Sequence, residues 1–208
     1  MYLNAEIDDL LEENKHKFIG KTISYRALQM RLNKIFKSKY NIEFKVEKYD
    51  DFEPYSVSFS GLYDMFENKI YVILNVSKEG SKIFVGKWKY FKFLLSQTLQ
   101  HEKIHECQWQ HRSCDEPCSK QWRESDKKDM NEERLYLSDK DELDAYGHDI
   151  ALEVKYFYPK RDPLTVLANI NNYKRLTSWN YYKKIFKGTD WLSLKKRLLK
   201  KAFIWIRN

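Results

Sequence analysis

The sequence has no long apolar run, no export signal and no internal repeat that we can identify. A membrane-spanning helix needs about 18 apolar residues with few or no charges, and no stretch of the chain approaches that length. The first fifteen residues, MYLNAEIDDLLEENK, are acidic and polar, whereas a secretory signal places positive charge before an apolar run. We therefore expect neither a transmembrane segment nor an export signal.

Cysteine is also scarce, with Cys107, Cys114 and Cys118 crowded into twelve residues. An odd number so close together does not make a disulfide framework, and it suits reduced thiols in the cytoplasm. Together with His111 these thiols could form a closed Cys₃His zinc site, but the spacing lacks the paired CxxC knuckles of such sites. The pattern favours free thiols.

The chain does have enough apolar material for a substantial core, since 42% of its 208 residues are hydrophobic. Its formal charge of +8 is concentrated near the C-terminus, in YYKKIF and LKKRLLKKAFIWIRN. The second of these stretches predicts a basic amphipathic helix. Such a helix packs with one solvated charged face, or it binds an acidic protein, nucleic acid or an anionic membrane surface.

In the first half of the chain, hydrophobic periodicity predicts the helices and strands. Apolar residues at three- and four-residue spacing predict helices over 7–19 and 25–36. Alternating and β-branched runs predict three strands, near Ile42, near Val57 and over 70–76. Because Asp64 and Asn68 form turns through their own side chains, the second and third strands are predicted to be an antiparallel hairpin.

The second half is predicted to be mainly helical. A long helix runs from Trp88 to about His111, and a polar, loop-like region follows over 112–134. Ser138 and Asp141 resemble a capping box at the start of a helix over 139–158, which Pro159 ends. Further helices are predicted after the Asp162–Pro163 cap, around Trp179 and from Asp190 onward.

These elements together predict an α+β fold with a small, mainly antiparallel sheet. We expect one domain over 1–160 and a basic helical extension packed on it over 161–208.

The segment HEKIH, residues 101–105, contains the candidate metal-binding and catalytic residues. On a helix, His101 and His105 project from the same face, about 6 Å apart, so that two imidazoles can bind one metal ion. Glu102 lies beside the metal without being a ligand and can take a proton from bound water. Zn²⁺ lowers the pKa of such a water to about 7. The pattern predicts a zinc-dependent hydrolase.

A catalytic zinc needs a third protein ligand, and two residues compete for that role. Glu142 opens the helix predicted over 139–158, where Tyr146 and Asp149 share its face. His111 stands where the longer pattern HExxHxxGxxH has its last histidine, but Gln108 replaces the glycine that would turn the chain back. The sequence favours Glu142 and keeps His111 as the alternative.

Residues near Glu142 are candidates for supporting roles. Asp149 could orient a zinc-bound histidine through the free ring nitrogen of that histidine. Tyr146 and His148 could donate a hydrogen bond to an oxyanion. Each of the three is also of a type that commonly packs in a helix without any such role.

HEKIH, followed some forty residues later by ELDAY, resembles the gluzincin branch of the zincin metallopeptidases. The preceding helix, strands and motif helix are similar to a zincin domain. This resemblance implies peptide-bond hydrolysis of a protein or peptide substrate, with His101, His105 and Glu142 as zinc ligands and Glu102 as general base. It also implies that the strand over 70–76 is the substrate-binding edge.

The layout, with basic C-terminal helices, also resembles uncharacterised HExxH proteins of tailed bacteriophages, which would place the chain in the host cytoplasm. The rival interpretation is a basic nucleic-acid-binding protein in which HEKIH is incidental or holds a structural metal ion.

Overall fold

A computed structural model describes residues 4–51, 53, 55–80, 82–112 and 130–207. The chain divides into two compact units, Met1–Glu106 and Cys107–Asn208. The fold is α+β, as predicted, because the first unit contains sheets and helices and the described part of the second contains helices. The predicted division into 1–160 and 161–208 stays a prediction.

The described part of the first unit contains two α-helices, most of a third α-helix, and five strands. The helices are α1 (Asn4–Glu13), α2 (Tyr25–Tyr40) and α3 (Trp88–His111), and a 3₁₀ turn covers Lys15–Lys17. The strands are β1 (Thr22–Ser24), β2 (Ile42–Tyr49), β3 (Ser58–Asp64), β4 (Lys69–Ser77) and β5 (Lys82–Phe84). The short strands β1 and β5, which sequence patterning did not predict, pair with each other antiparallel.

The larger sheet has the strand order β2-β4-β3. β2 is parallel to β4, and β3 is antiparallel to it. The predicted hairpin between β3 and β4 is confirmed: the Asp64 carboxylate accepts hydrogen bonds from the backbone N–H groups of Phe66 and Glu67. The prediction that the strand over 70–76 forms an edge was wrong, because β4 has a hydrogen-bonded neighbour on each side.

The core of the first unit lies on one face of this sheet. Alternate residues of β4 are buried, among them Val72 and Leu74. Residues of α2 buried at four-residue spacing include Leu32 and Phe36, and the Phe36 ring lies 5.6 Å from that of Phe44 on β2. α2 therefore covers this face of the sheet, because both elements present their apolar residues to it.

In the residues that the structure describes, the second unit contains the end of α3 and five further α-helices. These are α4 (Met130–Ser138), α5 (Lys140–Phe157), α6 (Pro163–Ala168), α7 (Thr177–Ile185) and α8 (Gly188–Arg207). The prediction of a loop-like region over 112–134 was wrong for residues 130–134, which belong to α4. Residues 113–129 lie outside the described residues. Asp139 caps α5 by accepting a hydrogen bond from Asp141 N–H. The cap therefore lies one residue after Ser138, the residue predicted for this role.

α5 is the central helix of the second unit, and α8 packs closely along it. At Gly147 an added Cβ would lie 2.5 Å from the Lys201 Cβ, so only glycine fits without a shift. Trp205 of α8 donates a hydrogen bond to the backbone oxygen of Asp144. Buried apolar side chains of α4 to α8 form the core of this unit, including Leu137, Ile150, Leu167, Trp179 and Leu198.

Candidate metal centre

The HEKIH segment lies in the fourth and fifth turns of α3, which runs without a break from Trp88 to His111. Trp88, Phe91, Leu95 and Leu99 form the buried stripe that fixes this helix against the first unit's core. His101 and His105 follow this stripe in the same helix, and the centroids of their rings are 5.0 Å apart. The two imidazoles therefore face the same way, as the four-residue spacing predicts.

The last turn of α3 is attached to the first turn of α5. The Gln108 side chain donates a hydrogen bond to the Asp141 backbone oxygen at 3.2 Å, and Arg112 pairs with the Asp141 carboxylate at 2.8 Å. Asp141 is itself held by the Asp139 cap. These bonds hold the first turn of α5, in which Glu142 follows Asp141, against the C-terminal end of α3.

His101, His105 and Glu142 form a group that could hold a metal ion. One ligand atom of each residue lies within 4.8 Å of the ligand atoms of the other two. Glu142 is 7% exposed and His101 is 9% exposed. Two neutral nitrogen donors and one carboxylate oxygen fit a divalent transition metal, and three protein ligands leave a coordination position for water.

Glu102 lies against the edge strand β3. It is 6% exposed, and an added Cβ at Gly61 would lie only 2.4 Å from both the Cγ and an Oε of Glu102. Gly61 therefore provides the space that the Glu102 side chain occupies. Gly61 was not predicted from the sequence as part of the site, although an isolated glycine inside a strand often marks a place where another group lies close to the backbone.

His111 is the last residue of α3 and is exposed. Because the helix continues through Gln108, it does not turn back at the position where the longer motif needs glycine. Among the residues that the structure describes, the group that could hold a metal ion includes Glu142 and leaves His111 out.

The three supporting residues lie on α5. Burial, and then the negative charge of Glu142, raise the pKa of Tyr146 well above its usual value, so its hydroxyl stays protonated at neutral pH. Asp149 is 5% exposed. The His148 ring packs edge-on against Trp205 of α8, at 4.9 Å between centroids. The roles predicted for these residues stay predictions.

Of the three cysteines, Cys107 is an exposed free thiol on α3. Cys114 and Cys118 lie outside the described residues, and so does the Cys₃His arrangement that the sequence left open. In the described part of the chain, no helix combines the length and apolar character that crossing a bilayer requires.

Comparisons with protein-family models, with curated proteins and with solved structures find no match.

Proposed function

We propose that this chain is a zinc-dependent peptidase with His101, His105 and Glu142 as metal ligands and Glu102 as the general base. The observation that carries the proposal is the convergence of three ligand atoms within 4.8 Å, with the buried carboxylate of Glu102 directly after His101 in the chain. Two imidazoles and one carboxylate are the ligand set of several catalytic zinc sites.

Zinc bound there would lower the pKa of a bound water to about 7 and polarise the scissile carbonyl. Glu102 would take the proton from the attacking water and later deliver it to the leaving amine. Tyr146 is a proposed donor to the developing oxyanion, because its hydroxyl keeps its proton at neutral pH. Asp149 is a proposed hydrogen-bond acceptor for a metal-bound histidine.

The proposed site for an extended substrate is the edge strand β3. Its neighbour β4 occupies one side, and at Gly61 the strand passes directly over Glu102. A peptide could pair with the backbone of β3 and bring one of its amide bonds to the general base. This assignment replaces the strand over 70–76, which is central in the sheet.

Metal analysis tests the ligand set. We expect about one zinc per purified chain, and near-complete loss of zinc in His101→Ala and in Glu142→Ala, because two remaining ligands hold the ion weakly. His111→Ala is the matched control and should keep its zinc. Equal zinc content in all four proteins would overturn the proposed ligand set.

Cleavage of a peptide library tests the reaction. Glu102→Gln should keep its zinc but lose at least about 100-fold in kcat, the usual contribution of a general base. A zinc-loaded wild-type protein that cleaves no peptide would overturn the peptidase assignment and leave a metal site of another function.

A further inference from the structure

Positive charge is unevenly distributed along the chain. Residues 160–207 contain thirteen Lys or Arg and two Asp or Glu, whereas residues 1–159 contain 25 basic and 28 acidic residues. One of the two acids, Asp162, caps α6 by accepting hydrogen bonds from Thr165. The other, Asp190, lies in the first turn of α8. The C-terminal quarter of the chain therefore has a strongly positive surface.

The outer face of α8 is the centre of this surface. Leu194, Leu198 and Ala202 are buried, so the opposite side of the helix faces solvent. That side carries the exposed cations Lys196, Arg197, Lys200 and Arg207, and none of these makes an ion pair with any described residue. Lys196 and Lys200 are one turn apart, about 6 Å, and Arg207 follows about 10 Å further along.

A second group of cations lies at the end of α7 and in its connection to α8. Lys183, Lys184 and Lys187 are all exposed. Lys187 folds back to donate a hydrogen bond to the backbone oxygen of Lys183. Both groups belong to the second unit, and we call them together the α7–α8 basic surface.

The spacing of charge on this surface favours a phosphate backbone over a bilayer. Insertion into a bilayer needs a continuous apolar face, and the apolar face of α8 is buried in the protein. The large exposed apolar residues of α8 are Leu192 at one end and Phe203 and Ile204 near the other, about 16 Å further along the helix, with Lys196 and Lys200 between them. The Phe203 ring is also covered by the Arg207 guanidinium, 4.7 Å from its centroid.

We propose that the α7–α8 basic surface binds nucleic acid through its phosphates, independently of the metal centre. The cations would neutralise successive phosphates and release condensed counterions, so that affinity falls steeply with salt. Because these side chains would contact phosphates and not base edges, we expect little preference for nucleotide sequence.

Fluorescence anisotropy of full-length protein with a labelled 30-base-pair DNA duplex, titrated at several salt concentrations, tests this proposal. The triple variant Lys196→Gln, Lys200→Gln, Arg207→Gln should bind at least tenfold more weakly, and its log–log salt slope should fall by about 2 to 3. A duplex RNA of the same length should behave alike, because the shared chemistry is phosphate. Circular dichroism verifies that the variant is folded.

The matched control is Lys82→Gln, Lys87→Gln, Lys89→Gln, which removes the same charge from exposed residues of the first unit. It should keep near wild-type affinity, and so should the wild type after chelation of metal. Equal weakening by both triple variants would overturn the proposal, because it would show an effect of net charge alone. Absence of duplex binding at 50 mM salt would also overturn it, as would binding to phosphatidylserine vesicles without binding to DNA.

Discussion

Gly61 and Glu102 are the pair of residues on which the proposed chemistry depends most directly. Gly61→Ala places a methyl group where the Glu102 side chain lies, since the added Cβ would be 2.4 Å from it. We expect Glu102 to be displaced, and kcat of the proposed peptidase to fall at least about tenfold, because a misplaced catalytic group loses much of its effect. Zinc content should not change, because Glu102 is not a proposed ligand.

Gly80→Ala is the control for this substitution. An added Cβ there meets its nearest heavy atom at 3.8 Å, which is ordinary contact. Steady-state kinetics and metal analysis of both variants separate loss of the base from loss of the metal. Wild-type kcat in Gly61→Ala would contradict the placement of Glu102 over β3.

Glu153 of α5 is fully buried, and its carboxylate accepts hydrogen bonds from Thr177 and from the N–H and hydroxyl of Ser178, at the start of α7. Burial raises its pKa from 4.5 to about 7, against the opposing effect of these hydrogen bonds. The folded state therefore binds this proton more tightly than the unfolded state. The resulting stabilisation is complete below about pH 4.5 and is lost as the pH rises through about 7.

We expect Glu153→Gln to flatten this dependence. In the wild type the contribution lost between pH 4.5 and 8 is on the order of 3 kcal/mol, whereas glutamine does not titrate. Urea unfolding of the metal-free protein at several pH values measures the difference. Glu132→Gln changes an exposed carboxylate on α4 and should keep the wild-type profile. Identical profiles for all three proteins would contradict the assignment to Glu153.

The first turn of α5 is the element that presents Glu142. Its cap, Asp139, accepts a hydrogen bond from Asp141 N–H at 2.8 Å, and Asp141 is also bonded to Gln108 of α3 and to Arg112, the residue after that helix. Asp139→Ala should reduce the free energy of unfolding by about 1 kcal/mol. It should also weaken zinc binding several-fold, because the turn that holds the carboxylate ligand becomes less ordered.

Asp162→Ala is a matched control, because Asp162 caps α6 in the same way, with Thr165 N–H at 2.8 Å. It should cost similar stability and leave zinc affinity unchanged. Denaturant unfolding and competition with a zinc chelator give the two quantities. Equal zinc affinities in the two variants would mean that the α5 cap does not support the metal centre.

Most elements could be predicted from local sequence because their signals are local. The apolar spacing of α3 predicted where that helix begins and ends, and the Asp162 cap before Pro163 predicted where α6 begins. In both cases the signal lies within a few residues of the boundary. The position of β4 in the sheet was predicted wrongly, because the order of strands depends on pairing between segments that are remote in sequence. The three-residue strands β1 and β5 are too short to show a period.

At the scale of the whole molecule, metal binding should be linked to folding. The proposed ligands His101 and Glu142 are 41 residues apart in the chain, so the unfolded chain does not hold them together. Zinc at 100 times its dissociation constant should therefore raise the free energy of unfolding by about 2.7 kcal/mol. Chemical denaturation with zinc and with excess chelator measures the change. The same midpoint in both conditions would contradict a site that forms on folding.

The sequence by itself determined the helices α2, α3 and α5, the pairing of His101 with His105 and the basic character of the C-terminal quarter, whereas α1 begins and ends earlier than the helix predicted over 7–19 and α4 was not predicted. All three follow from short spacings or from composition, which local order and charge fix without further contacts.

Only the tertiary structure decided between Glu142 and His111 as the residue beside the two histidines. The spacing of the motif left both open, and of these two residues it is Glu142 that has a ligand atom within 4.8 Å of those of His101 and His105. The approach of Gly61 to Glu102 was likewise decided by folding, since it joins a strand and a helix forty residues apart. Such contacts depend on how elements pack, and the packing is a property of the whole chain.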